Sequence, residues 1–145
     1  MLGLKSFLFG PARAWGQYAS VVVRLVVAGF WLNSSIPRWT AIVAGHPPAN
    51  GLVRSLFGSG MVVPLTIFFT LLETLGAIAL ILGFLTRLAS VWATVEFATT
   101  GTFGLMLGVS GLLKDYGLMA GALVLLLNGS QVLSIDGFLA KRMAK

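Results

Sequence analysis

The sequence predicts an all-α integral membrane protein, a bundle of four transmembrane helices. Three observations predict it. The 145 residues are 57% hydrophobic and only 10% charged, whereas a soluble domain carries about 25% charge. Mean hydropathy is +0.95. The apolar residues also gather into four long runs. So little polar surface cannot coat a particle in water, and so apolar a chain is not disordered. Length allows one domain, residues 1–145. The runs are too long and too evenly apolar for barrel strands, and lipid leaves backbone polar groups no outside partner, so helices are the spanning form.

The elements follow from N- to C-terminus. Met1-Leu2-Gly3-Leu4-Lys5-Ser6-Phe7-Leu8-Phe9 is short and amphipathic and is broken by Gly10-Pro11. It reads either as a flat interfacial anchor or as a frayed tail. It has no small-x-small cleavage site, so it is not expected to be a cleaved leader. The first span covers about 18–36 and stops at Pro37-Arg38-Trp39. A turn-rich connection, Thr40–Gly60, follows and contains His46-Pro47-Pro48, with Gly51–Phe57 as a short interfacial helix. The second span covers about 61–85 and stops at Thr86-Arg87. The third covers about 88–109 and the fourth about 112–128, ending at Asn128-Gly129-Ser130. Each has roughly the 17–25 residues that cross a hydrocarbon core of about 30 Å.

Lys and Arg set the orientation. Lys5, Arg13, Arg24, Arg87, Lys141, Arg142 and Lys145 share one side, and only Arg38, Arg54 and Lys114 lie on the other. The positive-inside rule then puts both termini in the cytoplasm of a multi-pass cell-membrane protein. The net charge of +6 is scattered at the ends of apolar runs. It fits anionic headgroups, so membrane lipids are expected partners and nucleic acid is not.

Cysteine is absent and His46 is the one histidine. Disulfides, iron–sulfur ligation and Cys-based zinc sites are excluded, and this chain alone can hold no bis-histidine haem. No metal site is expected. No phosphate loop, GxSxG, HExxH or CxxC occurs. Redox chemistry would need a bound organic cofactor such as quinone, or a partner's centre.

Charges inside a bilayer are costly and usually functional. Three stand out: Arg24 in the first span, Glu73 in the middle of the second and Glu96 in the third. At about 1.5 Å per residue, Arg24 and Glu96 fall at similar depth and are expected to pair, with Glu73 deeper and unpaired. Glu73 is then the candidate proton carrier, with Arg24 and Glu96 as its supporting pair. The plainer alternative is a pair that fixes helix register. Gly76 and Gly83 share a face with Glu73 and leave room either for close helix packing or for a flat ligand. Trp31, Trp39 and Trp92 could stack on a quinone ring. Trp39 fits an interfacial aromatic belt better, and Trp31 lies deeper and is the better candidate. Thr94, Thr99, Thr100 and Thr102, with Gly101 and Gly104, could kink the third span or supply hydroxyls to a cavity.

Ordered polar residues carry a family resemblance. Arg24-Leu25-Val26-Val27-Ala28-Gly29-Phe30-Trp31 with Arg38, then Glu73 through Gly76 and Gly83 to Thr86-Arg87, then Lys114-Asp115-Tyr116-Gly117-Leu118 through Gly129 to Ser134-Ile135-Asp136, resembles the signatures of the DoxX/DoxD-like membrane proteins. The likeness covers roughly 20–137. It departs at Arg38, where the family often has lysine, and along 41–60, which follows no recognisable pattern. The resemblance implies a four-helix membrane protein. It implies a subunit of a thiosulfate:quinone oxidoreductase, or a companion of other oxidoreductases or terminal oxidases. Arg24, Glu73, Arg87 and Asp115 match the family's recurring polar positions.

The leading expectation is a membrane subunit of a quinone-linked oxidoreductase. It would bind quinone near Trp31, Gly76, Gly83, Arg87 and Asp115 and assemble with other respiratory subunits or with copies of itself. Whether the chain is itself catalytic stays open. The alternatives are a purely structural accessory subunit of a respiratory complex, or a small proton-coupled transporter.

Overall fold

A computed structural model describes residues 12–46, 48, 51–108, 113–130 and 132–143. The N-terminal anchor expected at Met1–Phe9 lies outside the described residues, as do parts of the loops at 47–50 and 109–112. Every regular element among the described residues is helical. They are α1 (Ala12–Val43), α2 (Gly51–Phe57), a 3-10 turn (Ser59–Met61), α3 (Val62–Leu82), α4 (Thr86–Met106), α5 (Leu113–Asn128) and α6 (Ile135–Met143). The four long helices close a ring in which α1 packs on α3 and α5, and α4 packs on α5 and α3.

The burial pattern is inverted relative to a soluble bundle. In α3 the buried positions are Val62, Thr66, Thr70, Glu73, Ala77 and Leu80, a helical stripe of steps of three and four that is half polar. Leu71, Leu75, Ile78 and Leu82 on the same helix face outward. In α4, Thr86, Ser90, Ala93, Phe97 and Gly101 face inward while Leu88, Val91 and Val95 face outward. Large apolar surfaces turned outward suit lipid, in which helices associate through small and polar residues. Tyr18–Val43 and Ser59–Leu82 are each long and apolar enough to cross a membrane.

Several hydroxyls on the inward faces are satisfied locally, whereas those of Ser35, Thr66, Thr86 and Ser130 are buried without a partner. Thr70 donates to the Thr66 carbonyl at 2.7 Å, Thr74 to Thr70 at 2.7 Å, Ser90 to Thr86 at 2.7 Å and Thr94 to Ser90 at 2.8 Å. Bonding back to the preceding turn removes the need for outside partners.

The first span runs further than its proline suggested. The helix continues through Pro37 to Val43. Pro37 removes one intrahelical donor, a change that costs about 3 kcal/mol in an unsupported helix. The two residues after it are tied to α3 instead. Arg38 binds Glu73, and Trp39 Nε1 donates to Thr74 Oγ1 at 2.8 Å. The third span, α4, runs from Thr86 to Met106, where the sequence predicts about 88–109.

Two tight features hold the ends. Gly83 closes α3 in the left-handed conformation, φ 62°, and Phe84 N–H donates back to the Ala79 carbonyl at 2.8 Å. A clip from α6 then secures the α3–α4 turn. Asp136 accepts from Leu85 N at 2.9 Å and from Thr86 N at 2.8 Å, and its own N–H donates to the Gly83 carbonyl at 3.0 Å.

The core centres on Trp31, Leu80, Phe97 and Leu125, with Ala28, Ala77, Ala93 and Ala122 between them. Alanine at these positions lets the helix backbones approach closely. Trp31 stacks on Phe97 with centroids 6.1 Å apart. A Cβ on Gly76 would stand 2.5 Å from Trp31 Cζ3, so only glycine leaves the indole its place. Gly76→Ala is therefore expected to push Trp31 off Phe97. Overpacking of this kind costs about 1–3 kcal/mol, to be read as a lowered Tm of the detergent-solubilised protein and a changed tryptophan emission.

Candidate functional site

α1 and α3 meet through their polar inward faces, and the contact builds a buried cluster. Glu73 is 2% exposed. Its Oε1 accepts from Arg38 Nη1 at 2.5 Å, the ion pair of the structure among the described residues. Its Oε2 lies 2.8 Å from Ser34 Oγ, which also reaches the Trp31 carbonyl at 2.9 Å. On α4, Glu96 Oε2 accepts from Trp31 Nε1 at 3.1 Å, and its charged neighbours are Glu73 and Arg38. Two carboxyls thus share one guanidinium. With one proton on the pair the cluster is neutral, and without it the cluster carries a single negative charge. The cluster can take up or release one proton without burying more than one net charge.

This cluster borders a cavity of about 290 Å³. Arg38, Glu73 and Glu96 form its polar side. Phe69 and Trp92, stacked with centroids 5.9 Å apart and planes 16° from parallel, form an aromatic wall. Val53 and Phe57 of the short helix α2 close another side. Thr99 and Thr100 line it too, but their hydroxyl protons go to the carbonyls of Val95 and Phe97. Trp92 Nε1 is buried and has no hydrogen-bond partner.

The expected pairing of Arg24 with Glu96 does not form. Arg24 is buried at the far end of the bundle, where its Nη2 donates to the Leu133 carbonyl at 3.0 Å and to the Val132 carbonyl at 3.4 Å. Its level is that of Gly83, whose added Cβ would collide with the Arg24 guanidinium. Counting depth from the start of each span assumed that α1 and α4 begin in one plane. In fact α1 begins at Ala12 and extends past the level of the α3–α4 turn, which Arg24 meets at Gly83. Trp31, seven residues on and about 10 Å higher, is the α1 residue that meets Glu96. Glu73, expected to be unpaired, has the cation Arg38 because α1 continues past Pro37 and carries that side chain back to α3.

The other predicted positions scatter. Glu73 and Glu96 line the cavity. Trp31 is fully buried between Gly76 and Phe97 and supports the cluster from behind. Gly76 holds the indole, so the space beside it is filled by protein. Gly83 and Arg87 lie at the opposite end of the bundle. Asp115 is buried against Gly101, where a Cβ would come within 3.6 Å of the Asp115 Cβ. Sequence reasoning missed Arg38 as the counter-ion and Phe69, Val53 and Phe57 as walls, whereas Trp92, one of the three tryptophans expected to be able to stack on a ring, does line the cavity. The signal for Arg38 is its place in the first-span signature, and only the continuation of the helix past Pro37 brings it to Glu73.

Removing the Arg38 guanidinium leaves the Glu73 carboxylate without its cation. Arg38→Gln is expected to destabilise the detergent-solubilised protein by about 1.5–3 kcal/mol, the range for a hydrogen bond to a charged group. The Arg38→Gln/Glu73→Gln double variant should recover part of that loss, and thermal melts of the three proteins measure it.

Among known proteins, residues 49–145 match the family model described as TQO small subunit DoxD. Neither the curated proteins nor the solved structures gave a match. The matched part spans α2 to α6 and includes Glu73, Arg87, Glu96, Asp115 and Asp136. With two helices long and apolar enough to cross a bilayer, the chain is a membrane protein, and it belongs to the DoxD family.

Proposed function

We propose that the chain is the membrane subunit of a quinone-linked oxidoreductase, and that the cavity beside Glu73 and Glu96 receives the quinone headgroup. Four long helices cross the bilayer in this reading, with both termini in the cytoplasm and the cavity toward the outer side. The observation that carries it is a buried carboxyl pair with one counter-ion on the wall of an aromatic-lined cavity. The residues present fit such a ring. The volume of about 290 Å³ stands at the lower edge of small-molecule sites, about 300–1,000 Å³, and suits the headgroup alone. The Phe69–Trp92 pair offers a flat apolar face, and the unpartnered Trp92 indole N–H is a donor waiting for a carbonyl oxygen.

A bound quinone would supply two-electron redox chemistry coupled to proton exchange. The chain's own residues handle the proton. Arg38 and Ser34 hold Glu73 in one orientation, and Trp31 holds Glu96. A single proton resides on the carboxyl pair and is exchanged at the cavity wall, where a positioned acid or base contributes about 10²–10⁴-fold. Trp92 orients the ligand. Partner subunits would supply the electron donor.

Glu73→Gln and Glu96→Gln, purified in the assembled complex, are each expected to lower quinone turnover about 100-fold while complex yield stays unchanged. Trp92→Phe keeps the ring stack and removes only the donor, so it should raise the KM for quinone more than it lowers kcat. Full turnover in Glu73→Gln, with quinone still copurifying, would refute the proton role and favour a subunit that only anchors its partners.

A further inference from the structure

A second site lies at the end of the bundle away from the cavity. The α3–α4 turn, the end of α5 and the start of α6 enclose a groove of about 450 Å³. Two of its lining side chains, Thr86 and Ser130, carry buried hydroxyls that make no hydrogen bond. Both are more than nine-tenths buried, at 0% and 6% exposure. A buried hydroxyl without a partner is destabilising. Two that line one groove point to a ligand with more than one acceptor oxygen.

The charge on the groove agrees. Arg87 lines it and has no ion-pair partner among the described residues. Its side chain is laid across Gly129, where an added Cβ would stand 3.3 Å from Arg87 Nε. The one carboxylate in the groove, Asp136, is already engaged. Its two oxygens accept from the backbone N–H groups of Leu85 and Thr86, and the buried Arg24 is its electrostatic neighbour. Arg24, behind Asp136 and outside the groove lining, offsets that carboxylate and leaves Arg87 as the groove's uncompensated charge.

We propose that this groove binds a phosphate group, held by the Arg87 guanidinium and the hydroxyls of Thr86 and Ser130. A guanidinium and two hydroxyl donors match the several acceptor oxygens of a phosphate. The phosphate belongs either to the headgroup of an anionic phospholipid or to a free anion. The lipid source rests on the membrane-spanning reading, in which the α3–α4 turn lies at headgroup level. The free-anion source does not.

The test uses the full-length protein in mild detergent. Native mass spectrometry reads retained dioleoyl-phosphatidylglycerol, and equilibrium dialysis reads radiolabelled inorganic phosphate. Both are run on wild type, on Arg87→Gln and on Thr86→Val/Ser130→Ala. The double variant removes only the two orphan hydroxyls, so it decides even if loss of Arg87 disturbs folding. Loss of these donors should weaken binding roughly tenfold or more. Phosphatidylglycerol retention that falls in both variants supports a lipid headgroup. Phosphate binding that falls in both supports a free anion. Equal behaviour of wild type and the double variant toward both probes overturns the proposal. Quinone turnover is untouched by either result, so failure here leaves the cavity's role to its own experiment.

Discussion

Burying the Glu73 carboxylate inside a bundle whose outside is apolar is the constraint that the rest of the structure answers. A buried carboxylate needs a cation and hydrogen-bond donors close by. Arg38 supplies the first and Ser34 the second, both from α1. That demand explains why α1 passes through Pro37 without stopping, since its last turns are held by bonds to α3. Trp31, one turn before Ser34, completes the arrangement by tying Glu96 of α4 to the same helix. Three helices are thereby fixed around one small polar centre.

Packing and chemistry are joined at Trp31. Its ring fills the gap over Gly76 and stacks on Phe97, while its N–H holds Glu96 at the cavity wall. The same side chain is therefore core on one edge and support for a carboxyl on the other. The expectation that it would face a ligand gives way to a role behind the cavity. The aromatic face toward the cavity is that of Trp92 and Phe69.

The two ends of the bundle are built differently. At one end, α2 closes one side of the cavity, and the carboxyl cluster forms its polar side. At the other, the left-handed Gly83, the Asp136 clip and the buried Arg24 knit the α3–α4 turn to the C-terminal helix. Arg24 spends one amino group on the carbonyls of Val132 and Leu133, which otherwise would have no helix to satisfy them. The family's recurring polar positions thus serve more than one task. Glu73 belongs to the cavity, whereas Arg24 and Arg87 belong to the opposite end.

Composition and run length alone determined that the chain is helical, apolar on its outside and suited to a membrane. These properties depend on summed transfer energies over about 20 residues, and no neighbour can reverse them. The ordered polar and glycine residues of three segments, most strongly Glu73, Gly76, Gly83, Thr86 and Arg87, also pointed to the DoxX/DoxD-like family. Which charges meet was a matter for the tertiary structure. Pairing depends on how far each helix overhangs its neighbours, and a few residues of overhang moved Arg24 to Leu133 and brought Arg38 to Glu73. Span boundaries read from hydropathy carry no such offset. The proline rule failed at Pro37 for the same reason, because bonds between helices outweighed a preference that is local to one.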